Sequence, residues 1–233
     1  MENVKIIVDK IYKEGFYAIK NYCNESELKN FRKDAFSEFD QPIMRHFNHE
    51  VYKRAINDKT KNLLLSIAIE REKRETKNVL DPKILNSQIS ISYSKKGKRF
   101  GNEKLSKSAF HYDDSYVSGV LPLELPQEKG GLLVYKNLRL NKKKSILLKI
   151  FTRLLNKIKI LTSIFKPLSI KYDVGNLYLF FSDISLHGVD KVLNGERVSL
   201  TLNMSRVTYK TGYKLDKLKK NRNYANGYEY LLD

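Results

Sequence analysis

Residues 172–206 read YDVGNLYLFFSDISLHGVDKVLNGERVSLTLNMSR. One histidine stands in this stretch, His187, and ten residues beyond it comes Arg197, just after a Gly195-Glu196 turn. From there the sequence alternates as a strand does. Arg197, Ser199, Thr201 and Asn203 share one face; Val198, Leu200, Leu202 and Met204 share the other. An arginine and a serine on one inward face, close in sequence to a histidine, predict a polar pocket rather than a packed core. A carboxylate suits that pocket, because guanidinium grips it with two parallel hydrogen bonds and the hydroxyl adds a third.

The meaning of the stretch depends on an earlier one, Phe110-His111-Tyr112-Asp113-Asp114. On an extended backbone His111 and Asp113 point the same way. With His187 from a distant strand they make two imidazoles and one carboxylate. That set occupies one face of a metal, leaves positions open, and is typical of non-haem Fe(II) oxygenases. His111-x-Asp113, then His187, then Arg197-x-Ser199 resembles, in this order, the iron- and 2-oxoglutarate-dependent dioxygenase superfamily. The resemblance covers roughly Gln88 to Arg206. It implies an α+β fold with a mainly β core, a double-stranded β-helix or cupin-like jelly-roll, to which residue spacing adds flanking N-terminal helices and a basic helical insert outside the ordinary barrel pattern. It also implies that His111, Asp113 and His187 hold Fe(II), that 2-oxoglutarate is the cosubstrate with its far carboxylate on Arg197 and Ser199, and that dioxygen is consumed.

Working outward, Gln88 to Tyr93 alternates as a strand. Tyr93 resembles a cosubstrate-binding tyrosine of the prolyl-hydroxylase-like branch, and an ordinary core tyrosine is the alternative. Residues 94–108 are polar and Gly-punctuated, which predicts a loop rimming the site. Val117 to Leu123 reads as a strand ended by Pro122 and Pro126. Gly130 to Tyr135 looks like the superfamily's Gly-Gly strand, where small residues let chains pack closely.

Upstream, Val4, Ile7, Val8 and Ile11 recur at helical spacing over residues 2–14, with Gly15 as the stop. A short strand is expected over 16–20. Asn24 with Glu27 three residues on predicts a capped helix start. A further helix is expected over 58–76, with Leu63, Leu64, Ile67 and Ala68 inward and a charged end at Glu70 to Glu75. This opening is similar to that of the phytanoyl-CoA hydroxylase branch. His46 and His49 lack an accompanying carboxylate pattern and are expected on the surface or in packing.

The 233 residues are expected to form a single dioxygenase domain, with helical support in 1–87, the core in 88–206, an insert in 137–171 and a Tyr-rich tail in 207–233. The N-terminus lacks a signal-peptide pattern. The lone Cys23 excludes an internal disulfide and fits a reducing, cytoplasmic setting. The net charge of +18 predicts a polyanionic surface among the partners. Between Glu128 and Asp173 there is no acidic residue, against twelve lysines and arginines. There Leu147, Ile150, Phe151, Leu154, Leu155, Ile158, Leu161 and Phe165 recur at helical spacing, and Lys149, Arg153, Lys157 and Lys159 line the polar side. Three readings of this insert are open: an apolar stripe packed on the barrel, an interfacial helix over residues 142–166 on an anionic membrane, or nucleic-acid contact.

The expected function is hydroxylation of an aliphatic C–H bond. Halogenating relatives lack the carboxylate that Asp113 supplies, so the resemblance favours hydroxylation over halogenation. The expected substrate is a lipid or lipopolysaccharide sugar, as in the 3-deoxy-octulosonate (Kdo) hydroxylases, met at the inner face of a membrane by a peripheral protein. The alternatives are a soluble small molecule, an amino acid or a protein side chain, or a catalytically silent binding module. The alkylated-DNA-repair branch carries a second arginine six residues after the first. Here that position is Asn203, which counts against a nucleic-acid substrate.

Overall fold

Helix α1 spans Val4–Glu14 and is held at both ends by its own sequence. Asn3 caps its start by accepting from the Lys5 amide, and Gly15 closes it at φ 92° with its amide on the Ile11 carbonyl. Ile7, Val8 and Ile11 form its buried face. The chain is described here from a computed structural model, which covers residues 3–37, 58–77, 85–95, 98–99, 110–113, 115–139 and 146–206. Strand β1 is Tyr17–Ile19 and helix α2 is Glu25–Ser37. The start of α2 is a reciprocal capping box: the Asn24 amide donates to Glu27 Oε2 and the Glu27 amide to Asn24 Oδ1, both at 2.9 Å. Helix α3, Asp58–Thr76, buries Leu63, Leu64, Ile67 and Ala68 as its spacing predicts.

The strands are β2 (Leu85–Lys95), β3 (Lys98–Arg99), β4 (Ser115–Glu124), β5 (Glu128–Lys129), β6 (Leu132–Tyr135), β7 (Leu168–Ile170), β8 (Leu177–Phe180), β9 (Leu186–Val189), β10 (Val192–Asn194) and β11 (Glu196–Arg206). Between β6 and β7 lie helices α4 (Ile146–Lys157) and α5 (Lys159–Ile164). A six-stranded sheet runs β1-β8-β4-β11-β2-β3 and a three-stranded sheet runs β7-β6-β9, with β5 and β10 forming a separate pair. All pairings are antiparallel. Among the described residues the sheets do not close into a barrel.

Strand β11 is central, paired with β2 on one side and β4 on the other. Its two faces serve two layers. Val198, Leu200, Leu202 and Met204 join one apolar cluster with Ile7, Ile11, Leu64 and Ile67 of the helices. On the opposite side, Val120, Tyr178 and Phe180 of the large sheet pack on Leu132, Val134, Ile170 and Tyr172 of the small sheet or its flank. A one-residue slip of β11 would drive Arg197 into the helix layer, so the pattern specifies the register.

One expectation needs correction, and two open readings of the insert are narrowed. Pro122 does not end its strand: β4 continues to Glu124, and the irregular register between Val198↔Glu124 and Ser199↔Pro122 lets a residue without an amide hydrogen lie there. The insert, read from its periodicity as a helix or a helix pair, is the pair rather than one helix, because Ile158 takes an extended conformation between α4 and α5. Nor does its whole apolar stripe face inward: Leu155 is buried and Phe151 and Leu161 partly so, whereas Leu147, Ile150, Leu154, Ile158 and Phe165 are exposed. His46, His49, the tail from residue 207 and most of the 94–108 loop lie outside the described residues.

Candidate metal centre and carboxylate pocket

His111 and His187 are brought together by the backbone before their side chains meet. The two residues form an isolated antiparallel bridge, with each amide on the other's carbonyl at 2.9 and 3.0 Å. Their rings lie 4.4 Å apart at centroids and tilt by 53°. Asp113 completes the set. Its Oδ1 is 3.6 Å from His111 Nε2 and its Oδ2 is 3.3 Å from His187 Nε2. Ligand atoms of the three residues all lie within 4.8 Å of one another. Adjacent ligands on a metal with bonds of about 2.1 Å stand about 3 Å apart, so small side-chain adjustments suffice to bind one.

The donor chemistry suits a divalent transition metal. His187 Nδ1 is 3.1 Å from the Ser185 carbonyl. A carbonyl can only accept, so Nδ1 is the donor in that contact, and Nε2, turned toward Asp113, is the nitrogen left to ligate a metal. The Asp113 amide donates to the Ser182 carbonyl at 3.1 Å. The turn 181–185 therefore steers two of the three candidate ligands. It is itself held by the Ser118–Ser182 hydroxyl contact at 2.6 Å, and Ser118 donates on to Asn203 Oδ1 at 2.7 Å. His187 is buried, with Phe180 edge-on to its ring at 5.0 Å, while His111 and Asp113 are partly open. The centre thus has a closed wall and an accessible mouth.

The candidate carboxylate site, Arg197 and Ser199, lies on the face of β11 opposite the helix layer. Arg197 is 3 % exposed; its Nη1 donates to the Gly130 carbonyl at 3.2 Å and its Nη2 to Ser92 Oγ at 2.9 Å. Gly130 sits at φ 86°, a conformation that favours glycine. Ser199 is 1 % exposed, and its hydroxyl has no hydrogen-bond partner among the described residues. A buried hydroxyl without an acceptor is costly, and a ligand oxygen would relieve it. Burial pushes the nearby Tyr172 phenol up, partly opposed by the Arg197 cation, so it stays a neutral hydroxyl. A buried guanidinium beside a buried hydroxyl fits a carboxylate group. Tyr93 pairs with Val198 through the backbone, and its side chain lies outside what the structure describes.

Several supporting residues were not singled out from the sequence. Arg71 and Glu72 of α3 are buried, although the sequence shows only a charged helix end there. Arg71 makes a two-pronged bond to Asp183, 2.7 and 2.9 Å, and its Nε reaches Glu75 at 2.8 Å. Its guanidinium lies against the Phe181 and Tyr116 rings, and it also donates to the Tyr116 carbonyl. Burial lowers the proton affinity of Arg71, but Asp183 and then Glu75 outweigh it and hold the group charged. The available signal was Asp183 itself, a carboxylate in a largely apolar run between Phe181 and Ile184, where a buried charge calls for a cation.

No family model matches the sequence. No curated protein matches it either. Solved structures do. A prolyl-4-hydroxylase of Pseudomonas putida superposes with a TM-score of 0.55 at 15 % identity, over 88 % of this chain and 95 % of that one. The α-ketoglutarate-dependent non-haem carbocyclase SnoK of nogalamycin biosynthesis gives 0.55 at 13 %, over 93 % and 91 %. A prolyl hydroxylase from Trichoplax adhaerens, in complex with a hypoxia-inducible-factor peptide, gives 0.53 at 13 %, over 97 % and 93 %. The chain shares the fold of these oxygenases across most of its length. Among the described residues, no helix is long and apolar enough to cross a membrane.

Proposed function

We propose that this chain is an Fe(II)- and 2-oxoglutarate-dependent dioxygenase that hydroxylates an aliphatic C–H bond, with its two sheets as the halves of a double-stranded β-helix. The observation that carries the reading is the convergence of His111, Asp113 and His187, together with buried Arg197 and Ser199 on the face of β11 turned away from the helices. Bound iron would supply activation of dioxygen coupled to oxidative decarboxylation of 2-oxoglutarate to succinate and CO2. The protein's part is orientation and exclusion of water. His111 and His187 would offer ring nitrogens and Asp113 one oxygen, with the Ser185 carbonyl keeping the proton on His187 Nδ1. Arg197 and Ser199 would bind the far carboxylate of the cosubstrate, where the surrounding apolar side chains make a charge-assisted bond strong. Phe180 and Val134 would keep solvent from the inner side of the site.

For the substrate we infer an amphiphile, a lipid or a lipopolysaccharide sugar such as Kdo, met by a peripheral protein at the inner face of a membrane. The phytanoyl-like opening and the basic insert support this reading. The prolyl hydroxylases among the structural neighbours support a second one, a peptidyl side chain. The test is succinate release from 2-oxoglutarate with Fe(II) and dioxygen, against a panel of lipid, sugar, amino-acid and peptide candidates. Substrate-stimulated release identifies the class. Absence of any iron-dependent release, with 2-oxoglutarate still bound, would leave a binding module instead.

A further inference from the structure

Nine of the thirteen large hydrophobic side chains exposed among the described residues lie between Ile146 and Leu168. Ile146 is 73 % exposed, Leu147 77 %, Ile160 66 % and Ile164 64 %. Such a concentration differs from the scattered single exposure usual in folded proteins.

Helix α4 has three distinct sides. One is anchored: Leu155 and Phe151 pack with Phe110, Tyr135 and Leu186, and the Asn156 amide group clasps Phe110, accepting from its amide at 2.7 Å and donating to its carbonyl at 3.0 Å. About a quarter of a turn away, Leu147, Ile150 and Leu154 form an exposed apolar row, with exposed Ile158 just past the helix end. Beyond that row, Lys149, Arg153 and Lys157 make an exposed basic row. No carboxylate from the insert interrupts either row, because none occurs between Glu128 and Asp173.

We propose that the outer face of α4 and α5 docks on an anionic lipid bilayer. An apolar row flanked by lysines and arginines asks for a partner that is apolar in depth and anionic at its surface, and a bilayer with acidic headgroups is both. A second copy of this chain would set one basic row against another. A nucleic acid would meet the basic row and leave the isoleucines in water. The anchored side gives docking a consequence, since Asn156 holds the residue next to His111 and so ties the docked helix to the mouth of the metal centre. Docking stands on these surface residues alone; its service to an amphiphilic substrate rests on the oxygenase reading.

The experiment is flotation of the full chain with vesicles of phosphatidylcholine alone and of phosphatidylcholine mixed with phosphatidylglycerol, across a salt series, with a gel shift on RNA and DNA in parallel. The wild type is expected to float only with the anionic vesicles and to detach as salt rises. Lys149→Glu/Arg153→Glu/Lys157→Glu should lower partitioning by at least about a hundredfold, at about fivefold for each basic residue. Ile150→Ser/Leu154→Ser should also lower it, and should do so at every salt concentration. All five side chains are exposed, so both variants should keep the wild-type unfolding curve. Failure to float with anionic vesicles, flotation indifferent to the charge reversal, or binding to nucleic acid without lipid dependence each overturns the proposal. So does concentration-dependent self-association abolished by the Ile150/Leu154 pair. Flotation reads no turnover: a chain that floats but releases no succinate leaves docking intact and removes the oxygenase reading, and the converse removes docking alone.

Discussion

Removing the carboxylate of Asp183 should destabilise the fold and loosen the metal centre together. The Arg71 side chain is wholly buried and that of Asp183 is 17 % exposed, so solvent screens their attraction little. Two of the guanidinium's bonds, at 2.7 and 2.9 Å, end on Asp183; one, at 2.8 Å, ends on Glu75. Asp183→Ala leaves a buried cation with half its carboxylate partners, and breaking such a pair costs about 3–5 kcal/mol. For a chain of this size that lowers Tm by about 6–20 °C. Arg71→Met should cost a similar amount, because it strands Asp183 and Glu75 together. The double variant should cost less than the two singles summed, by about 1–3 kcal/mol, because the second change removes a group already stranded. Urea unfolding followed by circular dichroism measures all four corners of the cycle. A second readout separates positioning from bulk stability. Asp183 belongs to the turn whose Ser182 and Ser185 carbonyls hold the Asp113 amide and the His187 ring. Metal affinity, measured where every variant is folded, should fall in Asp183→Ala. Single variants within about 1 kcal/mol of wild type, or strictly additive costs, would refute the reasoning.

Arg197→Ala should raise the apparent constant for 2-oxoglutarate about 30-fold or more while leaving that for iron nearly unchanged, since a lost buried contact to a carboxylate costs roughly 2–5 kcal/mol; equal effects on both constants in initial-rate assays count against its assigned role. His111→Ala or Asp113→Ala should abolish iron-dependent turnover of 2-oxoglutarate and weaken metal binding in equilibrium dialysis. Gly131→Ala should destabilise by about 1–3 kcal/mol, because its new Cβ would lie 2.5 Å from the Ile170 carbonyl oxygen and drive β6 from β7; denaturant midpoints decide this. Burial, then the Glu27 carboxylate, pushes the Cys23 thiol up to about 11, so near pH 8 a disulfide reagent should label it slowly in the folded chain and fast after unfolding; rapid labelling of native protein contradicts that.

What could be read from the residues was whatever a short period encodes. The alternation from Arg197 to Met204 specified a strand with a polar and an apolar face; the apolar face packs on the helices, and the polar one is buried at Arg197 and Ser199 and partly open at Thr201 and Asn203. Asn24 and Glu27 announced their capping box, and His111-x-Asp113 its shared direction. The rest depended on distant partners. Nothing near Glu70–Glu75 says that Arg71 is buried, because its partner lies more than a hundred residues away. Helical periodicity could group Leu147, Ile150 and Leu154 with Leu155, but not tell which of them the sheet would cover, since α4 meets its neighbours along a narrower strip than its apolar residues occupy. Pro122 misled because the irregular pairing that tolerates it is contributed by β11.

The central place of β11 has a further consequence, for synthesis. Both its partners are made before it: β2 and β4 leave the ribosome while the strand that joins them does not yet exist. Roughly seventy residues separate the end of β4 from the start of β11, about 4–14 s at ordinary elongation rates. Even β1 and β4 stay apart until β8 is made late in that interval; from then on the large sheet can exist only as two parts, β1-β8-β4 and β2-β3, each with an open edge where β11 will lie. Those edges are templates for mispairing between nascent chains. The yield of active protein should therefore respond to codon choice and holdase chaperones across residues 125–206 more than to changes upstream, and the strand bearing Arg197 is also the one that commits the chain to its fold.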